Sequence, residues 1–229
     1  MPEILSSALW LYRNWPGLFV ALSAIVVVPY ELVVLAVAHV SPLGEAHVAT
    51  TALILTLVET ALIAPFVSAL QANAVVTIGN AQAPTLGDVI GRSLRVLPNV
   101  AAALIIAGLG MAVGWILFII PGVILALRWA VVAQVAAIEE TDWPTALRRA
   151  GQLARRSYLR ILVLLLVIAL VDLALTNIGA AVAGTGNRAV PVVIGIVVVV
   201  VARTFGALVT AMLYFDLRAR EGVGAAGLY

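Results

Sequence analysis

The sequence contains no cysteine and no lysine, and only 10% of its 229 residues are charged. The absence of cysteine excludes disulfides and thiolate metal sites. The scarcity of charge excludes an ordinary soluble globule, because soluble domains carry about a quarter charged residues. Hydrophobic residues make up 64% of the chain, and the mean hydropathy is +1.16. Lipid must therefore be the solvent for much of this protein.

The sequence also lacks the motifs of soluble catalysis and cofactor binding. It contains no G-x-S-x-G, no H-E-x-x-H, no phosphate-binding loop and no metal-ligand spacing. Its two histidines, His39 and His47, fall in one predicted loop, where an incidental placement is more common than a metal site. We therefore expect no enzyme, no cofactor, no metal and no nucleic-acid partner.

Six apolar segments are long enough to cross a membrane, which takes roughly 20 residues. They cover residues 17–40, 49–77, 98–119, 122–139, 159–183 and 189–216. An A-x-A pattern at Ala36–Ala38 raises the alternative of a cleaved secretory signal, but the apolar run before it is too long and contains Pro29 and Glu31. The segments predict an all-α fold, with six transmembrane helices in a single membrane domain.

The third and fourth segments are joined only by Ile120-Pro121-Gly122. Proline interrupts a helix and glycine permits a tight reversal, so we predict a helical hairpin that turns here at the outer surface. The alternative, one kinked helix of about 40 residues, is far too long for one crossing at about 1.5 Å per residue. Gly110 and Gly114 form a GxxxG pattern, which favours close packing within the monomer over dimerisation.

Short amphipathic segments precede three of the spans and begin near residues 2, 85 and 142. Thr85 and Asp88 form a capping-box pattern for the second segment, and Asp142 is a good N-cap for the third. Amphipathic helices of this kind lie in the membrane interface. The chain therefore divides into three units of one surface helix and two spans, covering residues 1–77, 85–139 and 142–216, and an internal triplication is one option.

The arginines indicate the orientation of the chain. With the N-terminus inside, the predicted inner segments hold ten arginines and the outer loops hold Arg188 alone. The ten are Arg13, Arg92, Arg95, Arg148, Arg149, Arg155, Arg156, Arg160, Arg218 and Arg220. This bias is the positive-inside signal. It predicts cytoplasmic N- and C-termini in a bacterial cytoplasmic membrane.

Five charged residues lie within the predicted spans, namely Glu31, Glu59, Arg128, Asp172 and Arg203. Each costs roughly 2.5–3.5 kcal/mol at the bilayer centre on insertion scales, so such residues usually face a partner or a cavity. Counting from the span ends predicts two clusters: Arg128 with Glu59 or Glu31 in the outer half, and Arg203 with Asp172 near mid-depth. These clusters either fix the helix order or form a polar cavity that binds a headgroup or carries an ion.

The third amphipathic segment carries four arginines on its polar face, Arg148, Arg149, Arg155 and Arg156. An arginine near an anionic membrane surface contributes about 1 kcal/mol of attraction. We predict that this face binds anionic lipid headgroups or docks a cytoplasmic or membrane protein partner.

Several short motifs resemble one family of bacterial and archaeal membrane proteins. They are the Pro121-Gly122 turn, Leu127-Arg128-Trp129, Glu139, Ala146–Ala150 with Leu153, the opening Ala8–Arg13 and the ending Tyr214–Arg218. The family is related to the membrane domain of glycerophosphoryl diester phosphodiesterases and to YciC-like inner-membrane proteins. The resemblance implies a six-helix bundle. It does not imply a phosphodiesterase, because the hydrolase of that family is a separate soluble domain that this sequence does not include.

Two functions follow from these features. The first is a non-enzymatic membrane protein that binds or organises lipid or supports a membrane partner. The alternative is a transporter or permease subunit whose polar pathway is lined by the five charged residues of the spans. An intramembrane enzyme would need a nucleophile and a base to converge, and Ser68, Gln71 and Asn73 supply only scattered polar groups.

Overall fold

Every regular element in the described part of the chain is helical. The computed structural model describes residues 2–40, 50–51, 54–55, 58–80, 85–155, 157–183 and 189–226. Its α-helices are α1 (Pro2–Asn14), α2 (Pro16–Val40), α3 (Ala64–Gly79), α4 (Leu86–Leu117), α5 (Ile119–Arg128), α6 (Val132–Ile138), α7 (Trp143–Ala154), α8 (Tyr158–Ala183) and α9 (Ala189–Ala226). A π-helix, Glu59–Ile63, directly precedes α3.

Five helical stretches in these ranges are long and apolar enough to cross a membrane. They are Pro16–Val37, Leu86–Gly114, Ile120–Ile138, Tyr158–Leu175 and Val192–Glu221. The second predicted span, 49–77, is only partly described, and the α-helix within it, α3, has 16 residues. The prediction of an all-helical, multi-pass membrane protein is confirmed at this level.

The second predicted surface segment and the third predicted span form one continuous helix, α4. Its N-terminus has the predicted cap, because the Asp88 backbone N–H donates to Thr85 Oγ1 at 3.2 Å and Thr85 Oγ1 donates to Asp88 Oδ2 at 2.5 Å. Pro98 lies inside the helix without ending it. Proline removes only one backbone donor, and the turns on either side stay hydrogen-bonded.

The hairpin turns at Phe118, and the prediction of a turn at Ile120-Pro121-Gly122 is wrong by a few residues. Phe118 has extended backbone angles, φ −163° and ψ 151°, and separates α4 from α5. Pro121 and Gly122 belong to the first turn of α5. Proline is tolerated there, since the backbone donors of a first turn have no partner within the helix.

The hairpin is closed by glycines on α4. A Cβ added to Gly114 would lie 3.0 Å from Gly122 Cα, and one added to Gly110 would lie 2.6 Å from the Trp129 ring. Only glycine permits the two backbones and the indole to approach this closely. The prediction that the GxxxG pattern packs within the monomer is confirmed.

The fourth predicted span, 122–139, is two helices and not one. α5 ends at Arg128, residues 129–131 form a turn, and α6 begins at Val132. Residues 131–137 are all buried, and α6 packs against α3 and α4. The direction of the chain therefore changes directly after Arg128.

The buried side chains form two clusters that meet at α9. One cluster joins α4, α6, α7, α8 and α9 around Ile161, Leu164 and Tyr214. The other joins α1, α2, α3 and α9 around Phe19, Leu22 and Leu208. Met212 and Phe215 of α9 pack against both. α1, α3 and α4 also contribute buried residues to both clusters, so these helices and α9 together join the two clusters.

Replacing Gly114 by leucine should destabilise the hairpin, because the side chain would meet the Gly122 backbone, which cannot rotate away. Overpacking of this kind costs about 1–3 kcal/mol. The matched control is Gly108→Leu on the same helix, where a Cβ meets nothing within 4 Å. We expect a lower melting temperature in detergent for Gly114→Leu only. Equal melting of the two variants would show that the glycine contact does not hold the hairpin.

Candidate functional site

An ion pair within the predicted spans joins α9 to the π-helix. The Arg203 guanidinium donates to a carboxylate oxygen of Glu59, the first residue of the π-helix. Pro65 follows in the first turn of α3. A proline ring clashes with the carbonyl of the residue four positions earlier, and the wider π turn relieves this crowding. Single π turns of this kind often occur at functional sites.

Two residues of α2 lie beside this ion pair. The Glu31 carboxylate lies within electrostatic range of both Glu59 and Arg203. The neighbouring Tyr30 hydroxyl donates to the Leu55 carbonyl at 3.0 Å, which attaches α2 to the segment before the π-helix. Arg203 therefore bonds one carboxylate, Glu59, and has a second, Glu31, within electrostatic range.

A cavity of about 350 Å³ that Arg203 lines lies between α3, α8 and α9. Its polar lining residues are Ser68, Asp172, Arg203 and Thr210, and the remaining walls are apolar. Asp172 and Arg203 are thus brought to one cavity, as the sequence predicts. The ion pair that the structure shows for Arg203, however, is with Glu59, which the sequence analysis assigned to Arg128.

Arg128 does not join these carboxylates, so its predicted pairing with Glu59 or Glu31 is wrong. Its side chain crosses α7 at Gly151, where an added Cβ would lie 2.6 Å from Arg128 Nε. Within the described ranges, no ion pair or hydrogen bond of the Arg128 side chain is found. The turn at residues 129–131 explains the difference, because counting along a straight span misplaces a residue that ends a helix.

A buried polar network, which the sequence analysis missed, links α2, α3 and α9. Gln71 Nε2 donates to Ser23 Oγ at 2.8 Å and to the Phe19 carbonyl at 3.0 Å, and Thr204 Oγ1 donates to Ser23 Oγ at 2.8 Å. All three side chains are fully buried. Asn73, two residues on, bonds instead to Ser93 of α4. The polar groups of α3 are therefore used to join helices.

A second network lies at the end of the bundle where α6 meets α7. The Tyr214 hydroxyl donates to Glu139 Oε1 at 2.9 Å and accepts from Arg218 at 3.2 Å. Arg149 forms a bidentate pair with Glu221 at 2.6 and 2.7 Å and lies 3.5 Å from Glu139. The pKa of Arg149 is raised above its ordinary value, mainly because of its hydrogen bonds with Glu221.

This network removes Arg149 from the four arginines of α7 and its end that were predicted to face lipid or a partner. Arg149 is turned toward Glu139 and Glu221 and does not face outward, because two carboxylates lie within reach of its planar guanidinium. Arg148 and Arg155 are exposed, as predicted, and Arg156 lies outside the described residues. Glu140, the residue after Glu139, has a backbone φ of 50°. Its side chain bonds Arg92 at 3.0 Å and does not join the Glu139 network.

An arginine-lined hollow lies where α7 passes into α8. The hollow has a volume of about 520 Å³ and is lined by Arg155, Ser157, Tyr158, Leu159, Arg160 and Arg220. Arg160 and Arg220 both bond Asp216, at 2.6 and 2.9 Å. Three guanidiniums line the hollow and one carboxylate, Asp216, bonds two of them, which leaves an excess of positive charge. The sequence signal for Asp216 with Arg220 is their four-residue spacing on one helix, whereas nothing local pointed to Arg160.

Removing Arg203 should destabilise the protein more than removing Glu59. In Arg203→Gln the two carboxylates Glu59 and Glu31 face each other without a cation, whereas in Glu59→Gln Arg203 still has Glu31 in range. An unmatched charge within a bilayer costs roughly 2.5–3.5 kcal/mol. We expect melting in lipid nanodiscs to fall most in Arg203→Gln and to recover in part in Arg203→Gln/Glu59→Gln. Strict additivity of the two changes would show that the pair has no coupling energy.

Comparison with known proteins finds no matching family model, no similar curated protein and no similar solved structure for this chain. The arrangement of its own residues is therefore the basis for the function proposed below.

Proposed function

We propose that this chain is a non-enzymatic bacterial inner-membrane protein that binds anionic lipid headgroups at the cytoplasmic face of its bundle. In this proposal the chain crosses the membrane six times, both termini are cytoplasmic, and three amphipathic segments lie at the inner interface. The proposed relation to the membrane-domain family of the phosphodiesterases and YciC-like proteins is consistent with such a bundle. The residues that suggested that relation include Glu139, Arg149 and Tyr214, and Glu139 contacts the other two.

The arginine-lined hollow is the observation that carries the proposal. Arg155, Arg160 and Arg220 come from three different helical segments and line one concave space. A guanidinium presents a planar fork of donors that matches a phosphate, and Ser157 and Tyr158 add hydroxyl groups. Leu159, on the same rim, is 80% exposed. An exposed leucine next to guanidiniums suits the boundary between acyl chains and headgroups.

The role of each arginine follows from its contacts. Arg160 and Arg220 are held in place by Asp216, so their orientation costs little entropy when a ligand binds. Arg155 makes no ion pair in the described part of the chain, so its charge is not neutralised by the protein. We assign Arg155 to phosphate binding, with Arg160 and Arg220 as fixed walls of the site.

Arg155→Gln should weaken binding of phosphatidylglycerol about tenfold, because one charge-assisted contact contributes about 1.5–3 kcal/mol. Native mass spectrometry of the purified protein with phosphatidylglycerol and phosphatidylcholine measures this. The matched control is Arg148→Gln, an exposed arginine on the same helix that does not line the hollow. Equal losses in both variants would indicate diffuse surface attraction, and the specific site would then be wrong.

A second function, transport of a small ion, is favoured by the cavity that contains Asp172 and Arg203. A carboxylate and a guanidinium in one cavity between spans are typical of ion and proton pathways. This candidate predicts proton flux in liposomes that contain the protein, and loss of that flux in Asp172→Asn. Glu140→Gln, which changes an exposed carboxylate outside the cavity, is the control. The absence of flux from the unmodified protein would eliminate the candidate.

A further inference from the structure

A cavity separate from the sites above lies beside α1. It has a volume of about 620 Å³, within the 300–1,000 Å³ range of small-molecule sites. Its walls come from α1, the end of α3, α6 and α9, and the lining residues are Trp10, Leu11, Val75, Val76, Ile78, Gly79, Asn80, Ile138, Met212, Phe215 and Arg218. Its walls are mainly apolar side chains, and the described lining includes a single charged residue, Arg218.

We propose that this cavity holds one acyl chain of an anionic phospholipid, whose phosphate binds Arg218. An alkyl chain needs no hydrogen bonds, whereas a peptide in the same place would leave backbone groups unsatisfied against apolar walls. The rim of the cavity is apolar and accessible, because Trp10, which lines it, and the neighbouring Leu9 are each 60% exposed. The chain therefore enters between α1 and α3 and lies against Met212 and Phe215.

Arg218 has donors available for the phosphate. A guanidinium carries five N–H donors, and the described contacts of Arg218 use one of them, to the Tyr214 hydroxyl at 3.2 Å. Tyr214 is itself bonded to Glu139, so the carboxylate does not reach Arg218 directly. The cation at the cavity rim thus complements an anionic headgroup.

The cavity and the arginine-lined hollow lie on different sides of α9. Arg218 lines the cavity and Arg220 lines the hollow. Residues two positions apart on a helix of 3.6 residues per turn are separated by roughly 200° around the helix axis. The cavity therefore does not depend on the headgroup site proposed above, and each site is tested by its own variants.

Two substitutions test the cavity, one for charge and one for space. Arg218→Gln removes the cation, and Gly79→Leu places a side chain at a lining position where an added Cβ meets nothing within 4 Å. The controls are Arg95→Gln, an exposed arginine of α4, and Gly87→Leu, a glycine outside the cavity that is also free of contacts. Both test positions are exposed, so we expect both variants to fold.

The measurement is quenching of tryptophan fluorescence by phosphatidylglycerol brominated in its acyl chains, added to protein in neutral detergent. The Trp10 contribution is the difference between the protein and its Trp10→Phe variant. We expect the lipid concentration for half-maximal Trp10 quenching to rise about tenfold in Arg218→Gln and Gly79→Leu, with no change in either control.

Three results would overturn the proposal. The first is unchanged Trp10 quenching in both test variants, and the second is an equal loss in the controls. The third is quenching by brominated phosphatidylcholine and brominated fatty acid that equals the quenching by brominated phosphatidylglycerol. The same titration in Arg155→Gln separates the two sites. Retained Trp10 quenching there supports a distinct acyl-chain site. Its loss would show that the lipid seen by Trp10 is bound at the arginine-lined hollow instead.

Discussion

The constraint on which this structure most depends is that a polar group in an apolar bundle must find a partner, and most of the partners are on α9. Its contacts, in chain order, are Arg203 with Glu59, Thr204 with Ser23, Thr210 with Gln134, Tyr214 with Glu139, Asp216 with Arg160 and Glu221 with Arg149. These partners belong to α2, the π-helix, α6, the turn after α6, α7 and α8. Arg203, Thr210, Tyr214 and Glu221 follow one another at intervals of seven, four and seven residues, so they form one stripe on α9.

Apolar packing alone would not fix the order and register of these helices in a membrane, because lipid tails are as apolar as leucine. Two other kinds of contact fix the order and register of the helices. The hairpin of α4 and α5 uses small residues, since Gly110 and Gly114 let Trp129 and Gly122 approach closely. The α9 side uses the polar stripe. A shift of α9 by one residue would rotate the stripe by about 100° and break most of its contacts at once.

The spans were predictable from the sequence because hydropathy is a local property. α2 and α8 begin within one residue of the predicted segments 17–40 and 159–183 and end with them. The charge pairing was not predictable, because counting depth from the span ends assumes straight, uninterrupted helices. α5 ends at Arg128, and the turn that follows directs this arginine to Gly151. Glu59 begins a π-helix, which alters the helical phase at this carboxylate. The end of α5 and the start of the π-helix therefore fall at Arg128 and Glu59, two of the residues whose partners the sequence analysis predicted.

The C-terminal end of α9 is asymmetric in charge, and this asymmetry distinguishes the two proposed lipid sites. On the side of the arginine-lined hollow, Asp216 neutralises part of the charge of Arg160 and Arg220, so Arg155 supplies the uncompensated cation. On the side of the apolar cavity, Arg218 contacts only a hydroxyl among the described residues. The Glu139–Tyr214 hydrogen bond lies between these sides and holds the turn after α6 on α9. Arg218 lines the cavity and Arg220 lines the hollow from positions two residues apart on α9, so a rotation of this helix would move both guanidiniums at once. The polar stripe fixes the register of α9, and with it the positions of the guanidiniums at both proposed lipid sites.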